Sequence, residues 1–171
     1  TLTREVREVF PMDEKSVRFY GCGPTVYGPA HIGNFRTFVM QDVFRRVLET
    51  SGQKTFHVRN LTDVDDKTIR QSQEEGIKLE DFTDKWTARF RKDCELLNLM
   101  SPHAEPSAVG HIPEQISLIR RLIDAGKAYQ ASDGSVYFKV EAFSEYGRLS
   151  RLADREITTN ETSRESSDEY D

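Results

Sequence analysis

The sequence predicts an α/β fold built on a parallel sheet, and three observations lead to this prediction. A short apolar strand around Val17 and Phe19 runs into a loop rich in glycine and proline, and an amphipathic helix follows. A second strand lies at residues 54–61. Parallel strands need a long crossover of this kind between them, so we expect a βαβ unit at the start of a doubly wound sheet.

The first elements are predicted from the spacing of their apolar residues and from the proline and glycine residues that end them. Residues 2–10 alternate apolar and polar side chains up to Pro11, which indicates a short strand or an extended lead-in. The crossover helix is predicted from Gly33 to Thr50, with Gly52 at its carboxyl end. Its apolar residues recur at helical spacing: Phe35, Phe38, Val39, Val43, Val47 and Leu48.

The second strand and the segments after it are predicted in the same way. In residues 54–61, Phe56 and Val58 share one face, as in a half-buried strand. Residues 65–99 are mostly helical, with a break at Gly76. Another helix at 112–125 is expected to point four residues inward: Ile116, Ile119, Leu122 and Ile123.

Residues 128–140 read as a β-hairpin, with Asp133 and Gly134 in a type I′ turn. Residues 152–171 form a polar tail rich in Ser, Thr, Asp and Glu, which we expect to be disordered. The sequence therefore divides into a βαβ-containing part at 1–100, a helix and hairpin at 101–151, and an acidic tail at 152–171.

Composition excludes some classes of protein and leaves one question open. No run of about 20 apolar residues is present, so no membrane-spanning helix is expected. Two cysteines 72 positions apart do not indicate a disulfide framework. We therefore expect the protein to be located in a reducing cytoplasm. The first 100 residues are neutral, and the tail carries the net charge of −5. A nucleic-acid-binding protein usually needs a basic face, which this chain lacks as a bulk property. Either any nucleic-acid contacts lie elsewhere, or a basic patch lies within the neutral part of the chain.

The loop and helix start at residues 19–36 (FYGCGPTVYGPAHIGNFR) are the strongest candidate for a ligand site. Open α/β sheets bind ligands at the carboxyl ends of their strands. A helix amino terminus there offers free N–H groups and a partial positive charge, which suit phosphate. The residues thus predict an anion site with the soft sulfur of Cys22 beside it.

Two sequence blocks carry a resemblance to a known family. CGPTVYGPAHIGNFR at 22–36, followed by VRNLTDVDDK at 58–67, resembles the opening of the cysteinyl-tRNA synthetases. These belong to the class I aminoacyl-tRNA synthetases, whose first signature has the form His-Ile-Gly-His. Here the signature runs from His31 to Asn34, with Asn in its last place. YGRLSR at 146–151 extends the resemblance more loosely.

The resemblance implies a fold and a reaction. The fold is the first half of a Rossmann-like nucleotide-binding catalytic domain, with 101–151 leading into an inserted connective segment. The reaction is ATP-dependent activation of cysteine and its transfer to tRNA(Cys) by a cysteine–tRNA ligase. ATP, Mg²⁺ accompanying it and one Zn²⁺ are the implied cofactors, and a monomer is expected. The second class I signature, of Lys-Met-Ser-Lys-Ser form, does not occur in this sequence, so we expect a fragment inactive on its own.

The resemblance also assigns roles to individual residues. His31 and Asn34 would be catalytic, hydrogen-bonding the ATP phosphates and stabilising charge as the α-phosphate is attacked. The family's ATP site would also include Gly33. Four residues would hold the amino-acid substrate: Cys22, Gly23, Thr25 and Thr62.

Cys22 would in addition be one of four ligands of an active-site zinc that selects cysteine through its thiolate. The family's other ligands, a Cys, a His and a Glu, come from later sequence. The alternative is a buried structural cysteine, and Cys94 in DCELLNL is interpreted in that way.

Asp63, Asp65 and Asp66 form a carboxylate cluster with two interpretations. They resemble a magnesium site, since carboxylate oxygens suit that ion. Asp is also favoured at the first positions of a helix, and we prefer this second interpretation.

Two other functions remain open beside the tRNA ligase. Mycothiol-pathway ligases resemble this family and transfer activated cysteine to an amino-sugar. A non-catalytic nucleotide- or zinc-binding module would use the βαβ unit without turnover. A tRNA acceptance assay separates the first alternative from the leading interpretation.

Overall fold

The computed structural model describes residues 3–8, 10–12 and 15–151. The chain divides into two compact units, and each is treated separately. The sheet unit comprises Val9–Gln115, and the hairpin unit comprises Thr1–Glu8 with Ile116–Asp171. The predicted tail at 152–171 lies outside the described residues. The predicted division at residues 100 and 151 stays a prediction.

The sheet unit opens with the predicted βαβ arrangement. Strand β1 (Val17–Gly21) and strand β2 (Thr55–Arg59) pair in parallel. Helix α1 (Ile32–Thr50) connects them. Gly52, two residues beyond α1, has a φ of +85°, as a glycine that ends a helix typically does. The fold class, an α/β protein with a parallel sheet, is confirmed.

A third extended segment runs beside β2, although it has no regular strand of its own. The amides of Arg59 and Leu61 donate to the carbonyls of Ala104 and Pro106, at 3.0 and 2.8 Å. Isolated parallel bridges join the segment to β2 and to Leu61. Residues 103–108 therefore satisfy the backbone on that edge of the sheet.

Two predictions about strands need correction. Residues 2–10 were predicted as a short strand or an extended lead-in; the described residues 3–8 form no strand, and Arg4, with a φ of +55°, is outside the extended region. In β2 the buried side chains are His57 and Arg59, while the expected face carries Phe56, which is 42% exposed.

A paired charge explains how β2 buries the side chain of Arg59. The Arg59 guanidinium lies 2.7 Å from Glu105 Oε1 and packs over the rings of Phe38 and Phe90. A buried charge is tolerated when it is paired and hydrogen-bonded. Cys94 belongs to the same core cluster as the two rings, and burial raises the pKa of its thiol. Its interpretation as a core residue is confirmed.

The helices after β2 follow the prediction for residues 65–99. Helix α2 (Asp66–Glu75) ends at Gly76, whose φ is +68°. Helix α3 (Leu79–Leu96) follows and packs against α2. The break at Gly76 arises from its left-handed conformation, which glycine adopts without steric cost.

Helix α4 (Ile112–Asp124) forms where it was predicted, but the expected burial of its apolar side chains is wrong. Ile116, Ile119 and Ile123 are 38–44% exposed, and α4 has no buried residue. No helix in the described part of the chain is long and apolar enough to cross a membrane.

The hairpin unit contains the predicted β-hairpin with a different turn. Strands β3 (Ala128–Gln130) and β4 (Val136–Phe138) pair antiparallel. The Gly134 amide donates to the Ala131 carbonyl, and Gly134 has a φ of +94°. The type I′ turn is therefore wrong: Asp133 does not have the positive φ that such a turn requires, and the loop spans five residues.

Candidate functional site

A cavity of about 410 Å³ lies at the carboxyl end of β1 and the amino terminus of α1. Cys22 and His31 both border it, as the strand–loop–helix prediction required. The loop between them supplies most of the wall, and α1 and α2 supply the rest. The lining residues are Cys22–Thr25, Tyr27–His31, Asn34, Thr37, Phe38 and Lys67.

His31 and Asn34 cap α1 reciprocally. His31 Nδ1 accepts from the Gly33 amide at 3.1 Å, and Asn34 Oδ1 accepts from the His31 amide at 3.0 Å. Because Nδ1 is an acceptor, the proton of the neutral imidazole is on Nε2. Each side chain therefore keeps an N–H donor that has no partner among the described residues, at the positive end of a 19-residue helix.

Gly33 serves the site indirectly. A Cβ atom at this position would lie 2.9 Å from Cε1 of His31, so any other residue would displace the imidazole. Gly33 itself is not part of the cavity wall formed by the described residues.

Thr25 lines the cavity, and Thr62 stands behind it. The two residues form a parallel bridge, in which the Thr62 amide donates to the Pro24 carbonyl and the Val26 amide donates to the Thr62 carbonyl, at 3.0 and 3.1 Å. The structure thus brings Thr62 to the loop, as expected, but does not place it among the residues that border the cavity.

Cys22 is exposed at the cavity and free of any disulfide. Across residues 3–8, 10–12 and 15–151, no three His, Cys, Asp or Glu side chains form a group that could hold a metal ion. The role of Cys22 as a zinc ligand, with the remaining ligands in later sequence, stays a prediction.

The carboxylate cluster after β2 takes structural positions. Asp65 is the N-cap of α2 and accepts from the Thr68 amide at 2.8 Å, while Asp66 lies in the first turn. Asp63 accepts from the Val109 amide at 2.9 Å. The preferred interpretation, a helix start, is confirmed for Asp65 and Asp66.

Sequence reasoning missed several residues that shape the site. The Lys67 ammonium borders the cavity and lies 5.5 Å from the centre of the Tyr27 ring, a cation–π contact. Gln41 and Asn60 hydrogen-bond the loop at Cys22 and Gly23. Asn60 belongs to the VRNLTDVDDK block, and a polar side chain at the end of a strand could have indicated a place in the site. Nothing in the sequence around Gln41 indicated such a place.

A solved structure shares this fold. The Agrobacterium radiobacter LeuRS–tRNA–LeuAMS ternary complex superposes with a TM-score of 0.59 at 17% identity, covering 74% of this chain and 18% of that one. At this identity the likeness concerns the fold alone. This likeness is consistent with the predicted Rossmann-like fold.

The family follows from the sequence comparisons. A family model described as "tRNA synthetases class I (C) catalytic domain" matches residues 8–171, and the chain belongs to this family. The cysteine–tRNA ligase of Opitutus terrae is 58% identical over 92% of this chain and 35% of its own length. That of Brachyspira hyodysenteriae is 46% identical over 100% of this chain and 36% of its own length. The chain thus spans about a third of the curated relatives it matches.

Proposed function

We propose that the whole protein containing this chain is a cysteine–tRNA ligase. It activates cysteine with ATP and transfers the cysteinyl group to tRNA(Cys) in the cytoplasm, as a monomer. The observation that carries the proposal is the shared cavity of Cys22 and His31 at the start of α1. The helix amino terminus at this cavity suits the phosphates of a nucleotide. The Cys22 thiolate suits a zinc ion, which would in turn bind the thiolate of a cysteine substrate.

His31 and Asn34 are proposed to bind the ATP phosphates. In the activation step the cysteine carboxylate oxygen forms a bond to the α-phosphorus, and pyrophosphate leaves with the electrons of the broken P–O bond. Negative charge on the phosphate oxygens is stabilised by the His31 Nε2–H, the Asn34 amide donors and the α1 amino terminus. Gly33 keeps the imidazole in position, and Mg²⁺ accompanies ATP.

Cys22, Gly23 and Thr25 are proposed to hold the amino acid, with Thr62 supporting the loop from behind. Cys22 is also proposed as one ligand of a zinc ion. Because the described residues do not complete the four-ligand shell that zinc prefers, this role requires ligands from outside them.

Two assays on the whole protein test the proposal. We expect cysteine-dependent ATP–pyrophosphate exchange, and transfer of labelled cysteine to tRNA(Cys). Exchange with cysteine but transfer to an amino-sugar in place of tRNA would favour a mycothiol-pathway ligase. Nucleotide binding without exchange would contradict an enzymatic function and favour a binding module.

A further inference from the structure

The two glycines that flank Cys22 leave room for two specific neighbours. A Cβ atom at Gly21 would lie 2.4 Å from the Cδ atom of Gln41. A Cβ atom at Gly23 would lie 1.6 Å from the backbone oxygen of Asn60. Neither glycine has a positive φ, so close approach explains both glycines and backbone conformation does not.

The same two neighbours hold one peptide group from opposite sides. Gln41 Nε2 donates to the Cys22 carbonyl oxygen at 3.0 Å, and the Gly23 amide donates to Asn60 Oδ1 at 2.8 Å. The Cys22 carbonyl and the Gly23 amide belong to a single planar peptide. A side chain from α1 and a side chain after β2 thus fix the orientation of that plane.

Asn60 is itself fixed by further hydrogen bonds. Its Oδ1 also accepts from the Tyr20 hydroxyl at 2.6 Å, and its Nδ2 donates to Thr62 Oγ1 at 2.9 Å. Since β1 ends at Gly21, the Cys22–Gly23 peptide lies beyond the regular strand pairing. Two side chains hold it in place of a strand.

We propose that Gln41 and Asn60 are positioning residues for Cys22. By fixing the peptide plane they fix the direction in which the Cys22 side chain leaves the backbone beside the cavity. The proposal rests on the proposed function, because it assigns them a part in recognising the substrate cysteine. Groups that contact a substrate must be held within a fraction of an ångström, and supporting hydrogen bonds provide this precision.

The test measures cysteine-dependent ATP–pyrophosphate exchange with the whole protein, with separate KM values for cysteine and ATP. Asn60→Ala and Gln41→Ala should each raise the KM for cysteine about tenfold, as expected for one lost hydrogen bond, and leave the KM for ATP within about twofold. A general structural defect would move both KM values and the melting temperature.

Substitution by the isosteric carboxylate distinguishes the acceptor role of Asn60 from the donor role of Gln41. Asn60 acts on the peptide as an acceptor, so Asn60→Asp keeps that contact and should restore a near-normal KM for cysteine. Gln41 acts as a donor, so Gln41→Glu places an acceptor against the Cys22 carbonyl and should not restore it. The comparison of Asn60→Asp with Gln41→Glu tests the positioning role even if an alanine variant fails to fold.

Gln73→Ala is the control, since Gln73 is an exposed amide residue of α2 that neither borders the cavity nor holds the Cys22–Gly23 peptide. It should leave the KM for cysteine unchanged. Normal exchange kinetics in both Asn60→Ala and Gln41→Ala, or equal behaviour of Asn60→Asp and Gln41→Glu, would overturn the positioning role alone. Absence of cysteine-dependent exchange in the unaltered protein would overturn the proposed function, and this role with it.

Discussion

Replacing His57 with phenylalanine should remove much of the acid sensitivity of the sheet unit. His57 lies in β2, is 3% exposed and stacks on the Phe19 ring with centroids 4.5 Å apart. Its Nε2 is buried and lacks a hydrogen-bond partner among the described residues. Phenylalanine preserves the ring stacking and cannot take up a proton.

The environment of His57 opposes its protonation. Burial lowers its pKa from 6.5 to about 4, and the positive charges of Arg59 and Arg45 act in the same direction. His103 adds a smaller effect of the same sign, while Asp42 acts against it. The difference in pKa corresponds to about 3 kcal/mol, since one pKa unit is about 1.4 kcal/mol.

The sign of the pH dependence follows from proton linkage. Between pH 6.5 and about 4 the unfolded chain binds a proton at His57 that the folded chain does not. The free energy of unfolding therefore falls as pH is lowered through this window, by up to about 3 kcal/mol from His57. Above pH 6.5 both states are neutral at this residue and the effect is absent.

Urea unfolding at pH 7, 6, 5 and 4 measures this difference, followed by the fluorescence of Trp86, the single tryptophan. Trp86 lies on α3 in the sheet unit, so it reports the unit that contains His57. Between pH 7 and 4, His57→Phe should lose about 3 kcal/mol less stability than the unaltered chain. Parallel pH profiles for the two proteins would refute the reasoning, because other titrating groups are common to both.

Three further predictions concern packing and metal binding. Glu105→Ala should reduce the free energy of unfolding by about 3–5 kcal/mol, because it leaves the buried Arg59 guanidinium without its closest anion, and urea unfolding at pH 7 measures this. Gly23→Ala should cost about 1–3 kcal/mol, since its Cβ would overlap backbone at Asn60, whereas Gly28→Ala meets open space and should cost less than about 1 kcal/mol. After washing with chelator, the 171-residue chain should hold well under one zinc per chain by elemental analysis, because one cavity thiolate does not complete a tetrahedral site; stoichiometric zinc would contradict this.

Local signals in the sequence predicted the framework of the site. Helical spacing defined α1, and the strand–loop–helix order brought Cys22 and His31 to one cavity. Alternation failed in β2, because it ranks Phe56 and Val58 as the buried pair. Arg59 is buried there instead because its charge meets Glu105, which lies 46 residues later and follows no local pattern.

Contacts distant in sequence also explain the missed part of the site. Gln41 is on the crossover helix and donates to the Cys22 carbonyl, 19 residues away in sequence. Asn60 accepts from the Gly23 amide, 37 residues away. The sequence shows Gly21 and Gly23 as turn or close-approach residues but not which atoms approach them. Helix periodicity likewise identified the apolar stripe of α4 but not whether another element covers it.

The most direct test of the account is cysteine-dependent ATP–pyrophosphate exchange with His31 variants of the whole protein. His31→Ala should lower the exchange rate about 10²-fold or more, as loss of a charge-stabilising donor typically does. His31→Ser keeps an N-cap acceptor for α1 but lacks the Nε2 donor, so it should be impaired as severely. His111→Ala, an exposed histidine outside the cavity, is the control and should behave as the unaltered protein.

The isolated 171-residue chain belongs in the same assay. It should bind ATP only weakly, with a Kd of millimolar order, about −4 kcal/mol, and should show no exchange. A loss of about 10²-fold in both His31 variants, with His111→Ala unchanged, is the predicted result. Undiminished exchange in His31→Ser would contradict the proposed phosphate-binding role of the imidazole. Exchange by the isolated chain would contradict the prediction that it is inactive on its own.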